Sequence, residues 1–275
     1  MATVGTLYID KKSPIHSLDG SIKLLMLLLW TAIVFMFTDI RVFIGLIIFG
    51  TILIKIANIT FKEVKPLVMF LLIFTFFNSI FLILITPTYG SELIDQYTPI
   101  FNILGRPLTY ETLWFAVTLS LKYLAILPIT ILFIFTTHPS RFASSLNKIG
   151  VSYKIAYAVN IALRYIPDVR DEFVNIMHAQ EARGVAFRKG EANLITRFKN
   201  YNTILIPLVL SSLNRVEVVS NAMNLRGFGS RKTRTWYNGR KYGKLDFIAL
   251  TLLIVGTIVG IIVSRLYLTG FWYPF

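Results

Sequence analysis

Residues 164–227 read RYIPDVRDEFVNIMHAQEARGVAFRKGEANLITRFKNYNTILIPLVLSSLNRVEVVSNAMNLRG, a basic, helix-forming segment between strongly apolar ones. Two successive helical runs in this segment end on the same kind of tripeptide: Ala182-Arg183-Gly184, the first tip, and Leu225-Arg226-Gly227, the second tip. Aligned at an offset of 43 positions (226 minus 183), the runs share the pattern Ala-x-x-[Ala/Leu]-Arg-Gly. We interpret the rest of the chain as a membrane anchor that presents these two arginine tips to soluble partners.

The composition favours a membrane protein. Of the 275 residues 55% are hydrophobic, the mean hydropathy is +0.65, and the formal net charge is +14. Long uncharged apolar runs of this kind are not typical of a soluble domain. In lipid they are expected to be helices, because each backbone polar group must find its partner within the segment. The chain has no cysteine, which excludes disulfides, Cys-ligated metal centres and thiol catalysis.

Five apolar segments predict five membrane spans, and the first of them continues as a span-like run rather than a cleavable signal. The predicted fold is therefore all-α and polytopic. We divide the chain into residues 1–136 with four spans, a cytoplasmic or interfacial coupling-helix domain at 137–244, and a last span with a tail at 245–275. The five predicted spans are residues 22–37, 42–57, 67–85, 112–135 and 247–263.

The distribution of Lys and Arg predicts the orientation. If the N-terminus lies inside, 24 of the 28 basic residues are cytoplasmic, 18 of them in residues 138–244. Only Arg41, Arg106 and Arg265 then fall outside, and Lys122 lies within a span. The positive-inside rule thus predicts a multi-pass membrane protein with the N-terminus and the coupling domain in the cytoplasm.

Within the coupling domain the sequence predicts two helical arms. Residues 151–166 are suited to a helix at the inner membrane surface, and Pro167 is expected to break or kink it. Residues 168–183 form an amphipathic run. After a basic connection that includes Arg188, Lys189, Arg197 and Lys199, a second long helix is expected from about Thr203 to Arg226.

Two interpretations of the Arg-Gly endings stay open at this level. A glycine just past the last turn takes the left-handed cap conformation, and an arginine in that turn suits the negative end of the helix dipole. Alternatively, the guanidinium donors form a plug for a partner groove that offers carboxylates or carbonyls, and the glycine turns the chain away from the partner.

The sequence resembles the transmembrane component of energy-coupling factor transporters, the EcfT/CbiQ family. The resemblance rests on the entry into the first span, the run into the first long helix and the two tips. The chain departs from the family pattern at Leu225, where the family commonly has a small residue. The matching segments are Ser13-Pro-Ile-His-Ser-Leu-Asp19, Thr136-Thr-His-Pro-Ser140, Leu163-Arg-Tyr-Ile-Pro167, Ala179-Gln-Glu-Ala-Arg-Gly184 and Ala222-Met-Asn-Leu-Arg-Gly-Phe228.

This resemblance implies a non-catalytic subunit that joins two cytoplasmic ABC-type ATPases to a small membrane subunit, which captures a vitamin or a metal ion. By analogy Arg183 docks into one ATPase and Arg226 into the other, with Ala182, Gly184, Leu225 and Gly227 around them. ATP and Mg belong to the partners, and no cofactor or metal is expected on this chain. Residues 227–233 do not form a phosphate loop, because Arg231 stands where the second glycine is required.

Three other features of the sequence have both a structural and a functional interpretation. Lys122, within a span, is a candidate functional residue or a structural pair inside the bundle. His178 and Glu181 are two potential metal ligands without a third nearby, which favours a helix surface. The basic cluster at 231–241, which includes Trp236 and Tyr237, suits anionic lipid headgroups and topology better than nucleic acid.

Two alternative functions are considered. A stand-alone secondary carrier or channel would have polar groups across several spans, and the sequence offers mainly Asn78 and Lys122. A membrane-embedded enzyme that modifies lipids would use a dense acidic group. The group formed by Asp168, Asp171 and Glu172 is explained equally well by ion pairs with Arg164 and Arg170.

Overall fold

The computed structural model describes residues 8–94, 96–103, 106–187, 193–231, 234–236, 239–267 and 271–274. Four residues of the predicted coupling domain lie outside these ranges: Arg188, Lys189, Lys232 and Tyr237. The elements in chain order are α1 (Gly20–Met36), α2 (Ile40–Ile56), α3 (Phe61–Ile85), α4 (Tyr89–Ile94), β1 (Pro99–Ile103), β2 (Arg106–Thr109), α5 (Tyr110–Thr136), α6 (Pro139–Lys148), α7 (Tyr153–Ala182), α8 (Leu194–Leu225) and α9 (Lys244–Tyr267).

Polar side chains fix where the first helices begin. Asp19 caps α1 by accepting from the backbone N–H of Ser21, and Asp39 caps α2 by accepting from that of Arg41 at 2.8 Å. Both caps satisfy a backbone donor that a helix leaves without an intrahelical partner. A turn of three residues, 37–39, joins α1 to α2, and both helices pack on α5 rather than along each other.

Helix lengths confirm an all-α polytopic membrane protein. Among the described residues, four helices are long and apolar enough to cross a membrane: Phe61–Ile85, Tyr110–Thr136, Ile195–Leu225 and Lys244–Val263. Three of them coincide with predicted spans, and the fourth is α8 of the predicted coupling domain. The two remaining predicted spans are α1 and α2, of 17 residues each. At 1.5 Å per residue each extends about 25 Å, somewhat less than the hydrocarbon core of a bilayer.

The described residues form two compact units. The first, called the membrane unit, is made of Leu7–His138 and Arg240–Phe275, and the second, called the tip unit, is Pro139–Gly239. The core of the membrane unit lies around α5, where the indole of Trp30 donates to the carbonyl oxygen of Ala125 at 2.9 Å. Gly50 of α2 approaches Pro128 so closely that an added Cβ would lie 2.3 Å from the Pro128 Cβ. Only glycine fits there.

A buried carboxylate holds the short hairpin β1–β2 in the membrane unit. Glu111 is fully buried at the start of α5 and accepts from the hydroxyls of Thr98 at 2.6 Å and Ser91 at 3.2 Å. Hydrogen bonds of this kind offset the cost of burying a charged group. The loop between α3 and α5 is therefore fixed to the beginning of α5.

Two expectations for the tip unit are corrected. The expected break at Pro167 is wrong, because α7 runs unbroken from Tyr153 to Ala182 with Pro167 inside it. The alternative, a kink at Pro167, stays a prediction. A proline inside a helix removes one backbone hydrogen bond, and a helix can continue through it. The second arm begins at Leu194 rather than near Thr203, since Asn193 takes the N-cap position.

Candidate functional site

The first tip is the end of α7. The backbone N–H of Gly184 donates to the carbonyl oxygen of Glu181 at 2.9 Å, and that of Val185 donates to Gln180 at 3.1 Å. Gly184 has a φ of +85°. These two bonds and the left-handed glycine form a Schellman motif, which satisfies the last carbonyl groups of the helix. Arg183 is the C-cap residue.

The second tip repeats this geometry at the end of α8. Gly227 donates to Asn224 at 2.9 Å and has a φ of +66°, and Phe228 donates to Met223 at 3.0 Å. Arg226 takes the C-cap position that Arg183 takes in α7. The shared sequence pattern therefore encodes one shared backbone structure, and the capping interpretation of the two glycines is confirmed.

The glycines are required by backbone conformation rather than by lack of space. A Cβ added to Gly184 would meet nothing within 4 Å, and one added to Gly227 would first meet the Ser230 hydroxyl at 3.5 Å. A positive φ disfavours any residue with a side chain, most strongly β-branched ones. Each glycine lets the chain reverse immediately after an arginine.

The two tip arginines have no partner among the described residues. Arg183 and Arg226 are exposed, and neither guanidinium has an ion pair or hydrogen bond within the part of the chain that the structure describes. Leu225 is 90% exposed, and Ala182 and Gly184 are exposed as well. Each tip thus exposes a guanidinium with small or apolar surface beside it. Gly227, in the second tip, is half-buried.

Behind the first tip, the chain that follows Gly184 is fixed to the beginning of α8. Phe187 is buried, and its ring lies 5.7 Å from that of Tyr201. Arg197 donates from Nε to the carbonyl oxygen of Phe187 at 2.9 Å, and Asn200 donates to that of Ala186 at 2.8 Å. These three contacts hold the return segment of the first tip to α8.

Behind the second tip, an aromatic side chain holds the chain that follows Gly227. Phe228 lies between the rings of Tyr153 and Tyr157, at centroid distances of 5.7 Å and 5.0 Å. Both tyrosines belong to the first turns of α7. The indole of Trp236 also reaches back, to the amide oxygen of Asn147 at 3.0 Å. The end of α8 is therefore joined to the beginning of α7.

A second arginine supports the backbone of the second tip. Arg234 donates from one guanidinium nitrogen to the carbonyl oxygen of Gly227 at 2.7 Å and to that of Arg226 at 3.3 Å. A cation at this place suits the negative end of the helix dipole. The sequence analysis groups Arg234 with a topological cluster and Arg197 with a basic connection. Neither pattern indicates that these arginines hold the chain behind a tip, because each contact depends on how the chain folds back after the helix end.

One ion pair connects the two arms. Glu172 of α7 accepts from Arg215 of α8 at 2.7 Å and also from the hydroxyl of Ser211, and the Arg215 guanidinium lies 5.6 Å from the ring centre of Tyr165. The ion-pair partner of Glu172 is therefore on the other arm. The expected pairing of Glu172 with Arg164 or Arg170 is wrong, because helix geometry directs its side chain to α8.

Other predicted residues do not assemble into a chemical site. Lys122 is half-buried in α5 with its Nζ 5.3 Å from the ring centre of Phe35. His178 and Glu181 lie 3.3 Å apart on the surface of α7. Within the described residues no group of three or more His, Cys, Asp or Glu side chains is arranged to hold a metal ion.

Known proteins match this chain along most of its length. The family described as cobalt transport protein (CbiQ) matches residues 11–237. The chain is 30% identical over 270 residues to the energy-coupling factor transporter transmembrane protein EcfT of Lactococcus lactis subsp. cremoris, with 94% of this chain and 96% of the relative covered. It is 31% identical over 260 residues to that of Streptococcus equi subsp. equi (90% and 91% covered) and 31% identical over 277 residues to that of Clostridium kluyveri (96% and 97% covered).

The fold and the paired helix ends define a class, that of polytopic α-helical membrane proteins with two long helical arms that each end in an arginine and a glycine. Within that class the chain belongs to the cobalt transport protein (CbiQ) family. Both tips fall within the matched residues 11–237, as does the ion pair between the arms. The family resemblance drawn from the sequence is confirmed.

Proposed function

We propose that this chain is the transmembrane coupling subunit of an ATP-driven importer of the energy-coupling factor type. The observation that carries the proposal is the pair of matching helix ends. Each has an exposed arginine, without a partner in the part of the chain that the structure describes, followed by a left-handed glycine. The names of the relatives, energy-coupling factor transporter transmembrane proteins, support the same assignment.

Each tip is the docking element for one cytoplasmic ABC-type ATPase. Arg183 with Ala182 and Gly184 enters one ATPase, and Arg226 with Leu225 and Gly227 enters the other. An arginine is suited to this task because its planar fork of donors binds carboxylates and carbonyl groups in a fixed geometry. The Schellman turn holds the return segment behind each guanidinium, which leaves the arginine as the foremost group.

Movement is transmitted through the arms. At 1.5 Å per residue, α7 with 30 residues and α8 with 32 residues are about 45 and 48 Å long. Nucleotide-driven closure of the two ATPases brings their grooves together, and the arms carry this displacement to a small substrate-binding membrane subunit. The chain itself is non-catalytic, and ATP and Mg are bound by the partners. The cargo is a vitamin or a metal ion, which the small subunit selects.

The proposal includes an orientation. The N-terminus and the coupling domain at 137–244 lie in the cytoplasm of a bacterial-type cell, between the spans of 1–136 and the last span with its tail at 245–275. The charge distribution supports this orientation, since residues 138–244 contain 18 of the 28 Lys and Arg residues of the chain.

The test replaces both tip arginines with alanine. We expect Arg183→Ala with Arg226→Ala to abolish uptake and co-purification of the ATPases, whereas the protein still inserts into the membrane. Each single change should weaken ATPase binding by about 2–5 kcal/mol, because the partner's charge is left buried and unpaired. Binding is measured by titrating labelled ATPases onto the purified membrane subunit.

Arg231→Ala is the matched control, because Arg231 is exposed shortly after the second tip and belongs to neither tripeptide. Normal uptake by the double variant would contradict the docking proposal. A pull-down from native membranes should yield two ATP-binding subunits and one small hydrophobic protein. Solute transport by the purified chain alone in vesicles would instead support a stand-alone carrier.

A further inference from the structure

The tip unit contains a cavity of about 240 Å³ behind the second tip. Its wall comes from the beginning of α6, the first two turns of α7 and the segment that follows α8. This volume is below the range of about 300–1,000 Å³ in which drug-sized molecules bind, so the cavity suits a small ligand group. The lining residues are Ser140, Tyr153, Tyr157, Asn160, Phe228, Arg234, Thr235 and Trp236.

Three polar side chains of this wall lack an acceptor or donor from the chain. Tyr153 is 6% exposed, and its hydroxyl has no hydrogen-bond partner among the described residues. Tyr157 and Asn160, one and two turns further along α7, have no side-chain hydrogen bond in that part of the chain either. A buried hydroxyl without a partner is destabilising, so a polar ligand that bonds to Tyr153 would remove a cost of the folded state.

The wall is electropositive. Arg234 donates to two backbone carbonyl groups of the second tip, which are neutral, and has no carboxylate partner within the described residues. A second cation lies nearby, since a Cβ on Gly229 would be 3.8 Å from Nζ of Lys154. The segments that form the wall, 139–167 and 218–245, contain no Asp or Glu. An anionic ligand therefore meets attraction here and no opposing carboxylate.

The aromatic side chains of the wall raise the alternative of a cationic ligand. Phe228 lies between the rings of Tyr153 and Tyr157, and the ring of Tyr157 lies 6.4 Å from that of Trp236. Rings grouped in this way can bind a quaternary ammonium group. The charge of Arg234 in the same wall opposes such a ligand, and the wall offers no carboxylate to compensate. The charges therefore favour an anion.

We propose that this cavity binds a phosphate group, which a phospholipid headgroup or free phosphate can supply. A phosphate group has several acceptor oxygens, and they match the donors of this wall: the guanidinium of Arg234, the hydroxyls of Tyr153 and Tyr157 and the amide of Asn160. Arginine is well suited to this role because its planar fork of donors fits phosphate geometry. No residue of the two tip tripeptides lines the cavity, so the site is separate from the proposed docking elements.

The first test removes one oxygen atom. Tyr153→Phe deletes a hydroxyl that makes no hydrogen bond within the described residues, so the ligand-free chain should keep its thermal midpoint. Phosphate should bind about tenfold more weakly, because one donor to a charged acceptor is lost. Tyr165→Phe is the matched control, since Tyr165 is a half-buried tyrosine of the same helix that does not line the cavity.

The second test reverses the electrostatics. Asn160→Asp introduces a carboxylate of nearly the same shape into the wall and should weaken phosphate binding tenfold or more through repulsion. Asn221→Asp is the control, because Asn221 is exposed on α8 and outside the wall. Tetramethylammonium is titrated in parallel. If it binds in place of phosphate, and more tightly to Asn160→Asp, the site is cationic in its preference and the proposal is overturned.

Two probes distinguish the sources of the phosphate group. The purified full chain in detergent is titrated with inorganic phosphate by calorimetry. In parallel, retained phosphatidylglycerol is counted by native mass spectrometry against diacylglycerol of the same acyl chains, which lacks the phosphate. One inorganic phosphate bound per chain supports free phosphate as a source, and retention of phosphatidylglycerol alone supports the headgroup.

With either probe, the expected result is binding that Tyr153→Phe and Asn160→Asp reduce and the two control variants leave unchanged. Binding of neither probe by the wild type would overturn the proposal, and so would equal binding by the wild type and both cavity variants. These measurements use the chain without ATPases, so their outcome does not depend on the proposed coupling function.

Discussion

Glu172 of α7 and Arg215 of α8 form an ion pair at 2.7 Å, and each of them lies 11 residues before a tip arginine (183 minus 172, and 226 minus 215). At 1.5 Å per residue the pair is about 16 Å from each tip along its own helix. The ion pair therefore lies at the same distance from the two tip arginines, each measured along its own helix.

The ion pair predicts a measurable coupling between the arms. In a double-mutant cycle with Glu172→Ala and Arg215→Ala, we expect an interaction energy of about 0.5–1 kcal/mol, since both side chains are partly exposed. The measurement is the stability of the purified chain, followed as its thermal midpoint.

The control for that cycle is Asp168→Ala, because Asp168 is an exposed acidic residue of the same helix with no side-chain partner in the described part of the chain. A charge exchange, Glu172→Arg with Arg215→Glu, should recover part of the lost stability. Strict additivity of the two single changes would contradict the coupling.

The tip glycines predict a conformational penalty. Gly184→Ala should lower stability by about 1 kcal/mol, because alanine is disfavoured at the observed φ of +85°. Gly184→Asn should lower it less, since asparagine tolerates the left-handed region. The thermal midpoint of each variant gives the comparison.

Gly45→Ala serves as the reference for this penalty. Gly45 is an open helical position in α2, where alanine has the better helix propensity, so no loss of stability is expected there. The strain argument is wrong if Gly184→Ala and Gly45→Ala have the same midpoint.

Arg234 predicts an indirect effect on docking. Its guanidinium holds the carbonyl groups of Arg226 and Gly227, so Arg234→Ala should disorder the second tip without removing the docking arginine. We expect a loss of about 1 kcal/mol, or about fivefold, in affinity for the ATPase at that tip. Arg231→Ala is the control. Equal affinity of the two variants would contradict the supporting role.

The neighbourhood of His16 predicts loss of stability in mild acid. His16 is buried before α1, where Nε2–H donates to the carbonyl oxygen of Ile9 at 3.1 Å and Nδ1 accepts from the hydroxyl of Ser13 at 2.8 Å. The pKa of His16 is lowered below its ordinary value of 6.5, mainly because the ring is buried and secondly because of the positive charge of Lys23. The smaller influences are the hydrogen bond to Ile9 and the charge of Asp10, which raise the pKa, and the charge of Lys11, which lowers it.

Because the folded pKa is lower than the unfolded one, the unfolded chain binds the proton first as the pH falls. Stability from this group is fully present above pH 6.5 and decreases as the pH falls from 6.5 toward the folded pKa. The thermal midpoint between pH 7.5 and 5.5 tests this. His16→Gln, which offers a donor and an acceptor but does not titrate, should reduce the slope, and an unchanged slope would exclude His16 as its source.

Local sequence patterns predicted much of this molecule. Apolar runs longer than a soluble core requires predicted the helices of the membrane unit, and the repeated Arg-Gly predicted two caps. The reason is that these features depend on nearby residues, through helix periodicity, capping and the conformational freedom of Gly184 and Gly227. The choice between a break and a kink at Pro167 stayed open, since the local rule for proline allows either outcome and only the structure shows that α7 continues through it.

The sequence by itself determined that the chain is a helical membrane protein with two matching arginine ends. Only the tertiary structure decided that Glu172 pairs with Arg215, that Arg197 and Arg234 hold the chain behind the tips, and that Tyr153 and Arg234 line one cavity. Those relationships join residues that are distant in the sequence. They depend on how helices pack and cross, which no short window of residues contains.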